Sequence, residues 1–275
     1  MKLFYARFLP LLLLSIGIVS CTEDADLVPE AGLLDNYYPL ETGDVRTYRI
    51  DSITYDYDGS LQRIVIDTQQ YFLQERVLET TRINESDWLR IGLFRSNTLE
   101  GEFELEDYAY ELKTAGQLLR MEGNLTFIPL ASPLKLFDEW DGTAYFNPAQ
   151  TQVFVRGEVL SPYENWNYLF LKKWEEYEVL QNAYSDVLQI NQRDTLSIEV
   201  ENGNEIILPE KQLFYFLANE FYAPGKGLIE KEEYNLTSVC ASSNVVDFQS
   251  FCDSTTIFEN AERGYIYRKK LVSFE

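Results

Sequence analysis

Thr195-Leu196-Ser197-Ile198-Glu199-Val200-Glu201-Asn202-Gly203-Asn204-Glu205-Ile206-Ile207-Leu208 is the stretch whose reading sets the fold class. Leu196, Ile198 and Val200 alternate with Ser197, Glu199 and Glu201, so an extended chain here has one apolar and one polar face. Asn202-Gly203 between alternating runs marks a hairpin, because both residues of the tight turn take positive φ. The same logic predicts a second hairpin, Val45 to Tyr57 with Leu61 to Leu78 through Asp58-Gly59. In its first strand Tyr48 and Ile50 have one parity and Ile53, Tyr55 and Tyr57 the other, which predicts a bulge near Asp51-Ser52. A like switch separates Phe103 and Leu105 from Tyr108, Tyr110 and Leu112.

Further strands are expected at Trp88 to Arg95, Gln117 to Met121, Leu125 to Leu130, Gln152 to Leu160, Tyr168 to Leu180, Val187 to Asn191, Leu213 to Tyr222, Gly227 to Tyr234 and Tyr265 to Phe274. Trp166, Phe170, Trp174 and Tyr177 also fit a helical stripe. The chain holds 4 Trp, 19 Tyr and 17 Phe, and aromatic residues favour strands. Bulged, bent strands suit strong curvature. The class read from this is all-β: a single antiparallel, strongly curved sheet, barrel or sandwich, with few short helices.

Lys2 and Arg7 precede an apolar run from Phe8 to Val19, which has the length of a secretory signal rather than of a spanning helix. Ile18-Val19-Ser20-Cys21 resembles the lipobox of bacterial lipoproteins. That resemblance implies cleavage before Cys21 and acylation of its thiol, with chains such as palmitate. Several chains on one residue anchor a protein stably where one does so marginally. The expected organisation is a signal peptide over 1–20, an acidic tether over 21–35 and a β-rich domain over 36–275. Glu23, Asp24 and Asp26 after the cysteine resemble a signal for display on the outer face of the outer membrane, although a plain solvated linker explains them too. The expected location is the outer membrane, on its periplasmic or cell-surface side, with the surface favoured.

Removing residues 1–20 leaves 21 basic against 45 acidic residues, a charge of about −24. Nucleic-acid binding is excluded, because it rests on Lys and Arg displacing counterions. The chain has no histidine, so Ser-His-Asp and Cys-His catalysis and histidine-ligated zinc are excluded as well. Once Cys21 is lipidated, Cys240 and Cys252 remain as a pair in an oxidising compartment. They read as a disulfide closing a 13-residue loop, worth about 3 kcal/mol.

The chemistry left for an enzyme is carboxylate-only glycoside hydrolysis. Its candidates are Asp138, Glu139 and Asp141 around Trp140, or Glu175 and Glu176 beside Trp174. Such residues equally suit the turns and solvated faces of a very acidic protein. No Ser-x-x-Lys pair is present. Asp56-Tyr57-Asp58-Gly59 looks like the start of a calcium loop, but the rest of such a loop is missing and a hairpin turn explains it better. No catalytic residue, metal or cofactor is therefore assigned. Tyr and Trp can fill a β core, or line a concave face that holds a lipid or glycan.

Several motifs together resemble a group of uncharacterised envelope lipoproteins of the Bacteroidota. They are Tyr37-Tyr38-Pro39-Leu40-Glu41, Tyr48-Arg49-Ile50-Asp51-Ser52-Ile53, Leu125-Thr126-Phe127-Ile128-Pro129-Leu130, Trp140-Asp141-Gly142 and Val187-Leu188-Gln189. Tyr222-Ala223-Pro224-Gly225-Lys226-Gly227-Leu228-Ile229-Glu230-Lys231-Glu232 and the closing Gly264-Tyr265-Ile266-Tyr267 strand complete the set, with Lys226 in place of a small aliphatic residue. The resemblance implies a β-rich envelope lipoprotein and carries no activity with it. Asp51-Ser52-Ile53, Asp194-Thr195-Leu196 and Asp253-Ser254-Thr255 resemble the O-glycosylation triplet of exported Bacteroidota proteins, and Ser254 is the favoured acceptor. The functional expectation is a non-enzymatic lipoprotein that binds a lipid or glycan or serves as an accessory. A structural subunit of an envelope complex is the first alternative and a carboxylate-only glycosidase the second. Expected partners are the membrane, through the anchor, and a lipid, glycan or envelope protein.

Overall fold

The alternating runs pair as extended strands because only that arrangement buries one face of each and satisfies every backbone group at once. In the computed structural model, residues 32–58, 60, 63–155, 158–200, 211–240 and 261–275 are described. A short helix, α1 (Leu33–Tyr37), comes first. A meander follows: β1 (Val45–Asp58), β2 (Arg63–Ile83), β3 (Ser86–Ser96), β4 (Glu104–Lys113), β5 (Gln117–Glu122) and β6 (Leu125–Ala131). Next come β7 (Glu139–Trp140) and a separate small hairpin of β8 (Val153–Val155) and β9 (Glu158–Leu160). The chain then continues as β10 (Tyr168–Val179), β11 (Asn182–Val200), β12 (Lys211–Ala223), β13 (Gly227–Cys240) and β14 (Arg263–Phe274).

Twelve strands form one sheet in the order β6-β5-β4-β3-β2-β1-β14-β13-β12-β11-β10-β7, with neighbours antiparallel. Its two edges, β6 and β7, meet. The Ile128 N–H donates to the Gly142 carbonyl at 2.8 Å, and the Trp140 indole N–H donates to the Ile128 carbonyl at 2.8 Å. The sheet is thus a nearly closed barrel, and the order around it is the order along the chain. Trp140→Phe keeps the ring and removes the donor at the join. We expect it to lower stability by about 1 kcal/mol, read as a lower urea midpoint.

Several sequence expectations are corrected in detail. The tether does not extend to residue 35, since Leu33 and Leu34 are buried in the main core with Tyr37 and Tyr38. No bulge lies at Asp51-Ser52: β1 pairs with β2 without a break from Val45↔Arg76 to Asp58↔Arg63, and the irregularity against β14 falls at Thr47/Tyr48. The parity switch arises because both faces of β1 are covered. Ser52 and Thr54 face Tyr267 and Tyr265 in the lumen, while Ile53 and Tyr55 pack with Ile266 and Leu236 on the opposite face. The second switch is a true bulge, with Glu106 as the extra residue between the pairs Leu93↔Asp107 and Phe94↔Leu105. Residues 152–160 form two short strands rather than one. The expected strands at 187–191 and 195–201 are one strand, β11, irregular at Asn191/Arg193. Tyr168 to Val179 is a strand and not a helix.

The core follows from the aromatic content. Phe127, Phe146, Tyr163, Trp166 and Tyr168 form a chain of edge-on contacts with centroids 5.0 to 6.0 Å apart. Such geometry aligns positive ring edges with negative faces.

Candidate functional site

Arg120 on β5 is the centre of a cluster of charged side chains inside the barrel. Its guanidinium reaches Glu75 of β2 at 2.6 Å, Glu122 at 2.6 Å, and Glu111 of β4. The Glu75 carboxylate also takes Lys269 of β14 at 2.6 Å. Lys231 of β13 lies 3.2 Å from Glu220 of β12 and 3.0 Å from Glu233. Tyrosines frame these groups. The Tyr38 hydroxyl donates to Glu111 at 2.6 Å, that of Tyr222 to Glu220 at 2.5 Å, and that of Tyr48 to the Leu228 carbonyl at 3.1 Å. Arg46, only 1% exposed, lies over the Tyr38 ring at 4.6 Å and donates to the Pro39 carbonyl.

Charge inside a barrel is tolerated only when each group is paired. Burial would raise the pKa of Glu75, but Arg120 and Lys269 outweigh it and hold the carboxyl well below the usual carboxylate range. Glu122, whose side chain is 49% exposed, is also lowered, its partial desolvation being outweighed by Arg120, Lys231 and Lys269. Burial opposes the charge on Lys231, yet Glu233, Glu220 and Glu122 raise its pKa well above that of an ordinary lysine. Lys269 is shifted down by burial, which the Glu75 contact only partly offsets. With Glu75 strongly ionised, their 2.6 Å contact is that of an ion pair.

Two spaces open on this cluster. A small, partly open chamber of about 60 Å³ lies among Tyr38, Arg120, Tyr168, Glu220, Tyr222 and neighbouring side chains. A more open cleft of about 360 Å³ is lined by Ser52, Thr54, Pro162, Glu233, Tyr265 and Tyr267. The two share Glu122, Tyr163, Lys231 and Lys269 as a common wall. Burial, with Glu233 next in effect, pushes the Tyr163 phenol up to about 12. Tyr265 and Tyr267 are likewise raised, first by burial and then by Glu233 and Tyr71 respectively. These phenols stay neutral donors at ordinary pH.

The residues singled out from sequence lie elsewhere. Asp138 accepts from the Lys135 N–H, and Asp141 accepts from the Thr143 N–H and hydroxyl, both as turn supports. Glu139 accepts from the Asn167 side chain at 2.8 Å. Glu175 and Glu176 lie on β10, where Glu176 pairs with Ser185. None of these lines either space. Asp58 Oδ1 accepts from the Ser60 N–H and hydroxyl, and the pair Asp58↔Arg63 is the last of the β1–β2 hairpin, in which residues 59, 61 and 62 lie outside the described residues. Cys21, Cys252, Ser254 and the Asn202-Gly203 turn lie outside the described residues, as does the side chain of Cys240, which ends β13. Among the described residues no group of three or more His, Cys, Asp or Glu could hold a metal ion, and no helix is long and apolar enough to cross a membrane.

The sequence reading missed the lumen cluster. Its one signal is the run Glu230-Lys231-Glu232-Glu233 inside an otherwise apolar strand, which reads as a solvated face until the far strands are brought against it.

No family model and no curated protein matches the chain. Among solved structures it is similar to a Bacteroides fragilis protein of YmcC-like fold that is inferred to be exported. The two share 10% identity over 87% of this chain and 99% of that one, with a TM-score of 0.34. A likeness at that level carries no argument about what this chain does.

Proposed function

We propose that this chain is an envelope lipoprotein, anchored through Cys21, whose barrel binds a hydroxyl-rich ligand, a glycan, in the open cleft and performs no chemistry on it. The observation that carries the binding reading is the convergence of Tyr163, Tyr265 and Tyr267 with Glu122, Glu233, Lys231 and Lys269 on one cleft of about 360 Å³. Ring faces suit the C–H faces of a sugar, and fixed donors and acceptors suit its hydroxyls. A lipid fits less well. The smaller chamber, at about 60 Å³, holds a few waters, and the cleft is walled by Glu122, Glu233, Lys231 and Lys269, charged groups that an acyl chain would leave unsolvated.

Hydrolysis is not favoured by this geometry. Glu220 and Glu233 lie within about 6 Å of each other, since each contacts the Lys231 ammonium, and that separation resembles a glycosidase pair. The ammonium fills the space a scissile oxygen would need. The anchor, the Cys240–Cys252 disulfide, glycosylation of Ser254 and display at the cell surface belong to the same proposal and rest on the sequence.

The test is binding of oligosaccharides to the full mature chain by saturation-transfer NMR and calorimetry. Tyr267→Ala is expected to weaken binding at least about tenfold, in the range of lost stacking and packing at a small site. Ser52→Trp, which fills the cleft from a half-buried position, should do the same with the fold intact by circular dichroism. Full affinity in both variants would remove the cleft from consideration.

A role as a structural subunit is supported by a different observation. Phe137 has φ of 68° and is 64% exposed, and its backbone is pinned by hydrogen bonds that Phe137 and Asp138 make with Phe170. An aromatic ring held outward on a strained backbone suits a docking contact. A photo-crosslinker at position 137 in intact cells should capture one stoichiometric partner if this role is real. Scattered or absent products would rule it out.

A further inference from the structure

The charges around the cleft bear on which sugars it accepts, an inference that rests on the glycan reading above. Every cation at the cleft already has carboxylate neighbours. Lys231 is held between Glu220 and Glu233, and Lys269 is on Glu75. Behind them Arg120 is shared by Glu75, Glu111 and Glu122. With Arg46, which lies beside Glu111 and Glu75, the network sets four cations against five carboxylates. Glu111 is fully buried and its Oε2 has no hydrogen-bond partner, so its own charge is not dissipated into solvent.

Among the described residues that line the cleft, an anionic group would find no cation without a carboxylate partner and would meet that surplus. Hydroxyls would find donors and acceptors on both sides. An ammonium would gain from the excess carboxylate and from the negative faces of Tyr163, Tyr265 and Tyr267, the arrangement by which aromatic walls hold cations. Like-charge exclusion is an effective way for a site to discriminate between otherwise similar ligands.

We propose that the cleft selects glycans by charge: it takes neutral and amino sugars, binds an amino sugar more tightly than its neutral parent, and rejects sugars bearing carboxylate, sulfate or phosphate. A glycan array with neutral, amino, uronic and sulfated members comes first. Calorimetry then compares a matched trio built on the best-bound backbone: the neutral oligosaccharide, its amino counterpart and its uronic counterpart. At low ionic strength, where such effects are least screened, the uronic member is expected to bind at least about tenfold more weakly than the neutral one. The amino member should bind about three- to tenfold more tightly. Glu233→Gln should shrink the amino preference, read as the ratio of amino to neutral affinity on the same variant, to about twofold or less. If that variant does not fold, the wild-type trio decides alone. Binding of acidic sugars as tight as that of neutral ones would overturn the charge rule and leave the glycan reading standing. If no sugar on the array binds, the glycan reading itself fails and this inference with it.

Discussion

Raised above pH 10, the barrel is expected to unfold over a narrow interval, in a transition set by its buried phenols. Tyr38, Tyr48, Tyr168 and Tyr222 all have pKa values pushed well above 10, first by burial and then by carboxylates: Glu111 at Tyr38, Glu75 at Tyr48, and Glu220 at Tyr168 and Tyr222. Arg46 and Arg120 pull the first two back, and Lys231 the third, without reversing the direction. A group whose pKa is raised on folding contributes stability below its unfolded pKa and loses it as pH climbs. The unfolded chain releases these protons near pH 10 and the folded chain keeps them. Each such tyrosine therefore removes about 1.4 kcal/mol per pH unit once the unfolded phenols are ionised, and four remove roughly 5 to 6. Absorbance at 295 nm, followed together with far-ultraviolet circular dichroism, checks this. The exposed phenols should titrate smoothly, and a second, cooperative rise should coincide with loss of strand signal. Smooth titration of all the phenols with the strand signal intact would contradict it.

Arg120→Met should be the most damaging single substitution in the lumen. It nearly preserves volume while leaving Glu75, Glu111 and Glu122 without their shared cation. Removing one partner of a buried ion pair costs about 3 to 5 kcal/mol, which for a chain of this size lowers the melting temperature by roughly 10 °C or more. The defect should shrink in acid. In the wild type, Glu75 has a depressed pKa, so its contribution is full above the ordinary carboxylate value and is lost progressively as pH falls from there toward the lowered one. In the variant the stranded carboxyls accept protons early, and their penalty fades below about pH 5. Adding Glu111→Gln to the variant should restore part of the loss at neutral pH. A variant as stable as wild type at pH 7, or one equally weakened at pH 7 and pH 4, would refute the role given to this residue.

The strands were legible because alternation survives in the chain itself. Trp88 to Arg95, Leu125 to Leu130 and Tyr265 to Phe274 are each the centre of an observed strand. The bulge at Glu106 was legible for the same reason, since Leu105 and Tyr108 share no parity. The choice among curved sheet, barrel and sandwich was not, because alternation marks two faces and is silent on what each face meets. The lumen cluster was hidden for the same reason. Glu75, Lys231 and Lys269 occupy positions that look solvated in any one strand; Glu75 and Lys269 are buried, and Lys231 half-buried, only because β2, β5, β13 and β14 curl toward a common centre. The cleft tyrosines were read as core or ligand-facing without a choice between the two, and Tyr163 serves both, contacting Phe127 at 5.2 Å while walling the cleft.

The pairing of β1 with β14 has a kinetic consequence. Apart from β7 and β10, which the β8–β9 hairpin separates, the other neighbours in the sheet follow one another along the chain, so they can zip as local hairpins at small loop-closure cost. The seam instead joins Val45 to Glu275, and its closure entropy is the largest in the molecule. It should therefore be the last contact made during refolding and the first lost under proteolytic or mechanical stress. The bond from Lys269 to Glu75 spans that seam from β14 to β2, which makes it a latch on the final step rather than a seed for the first.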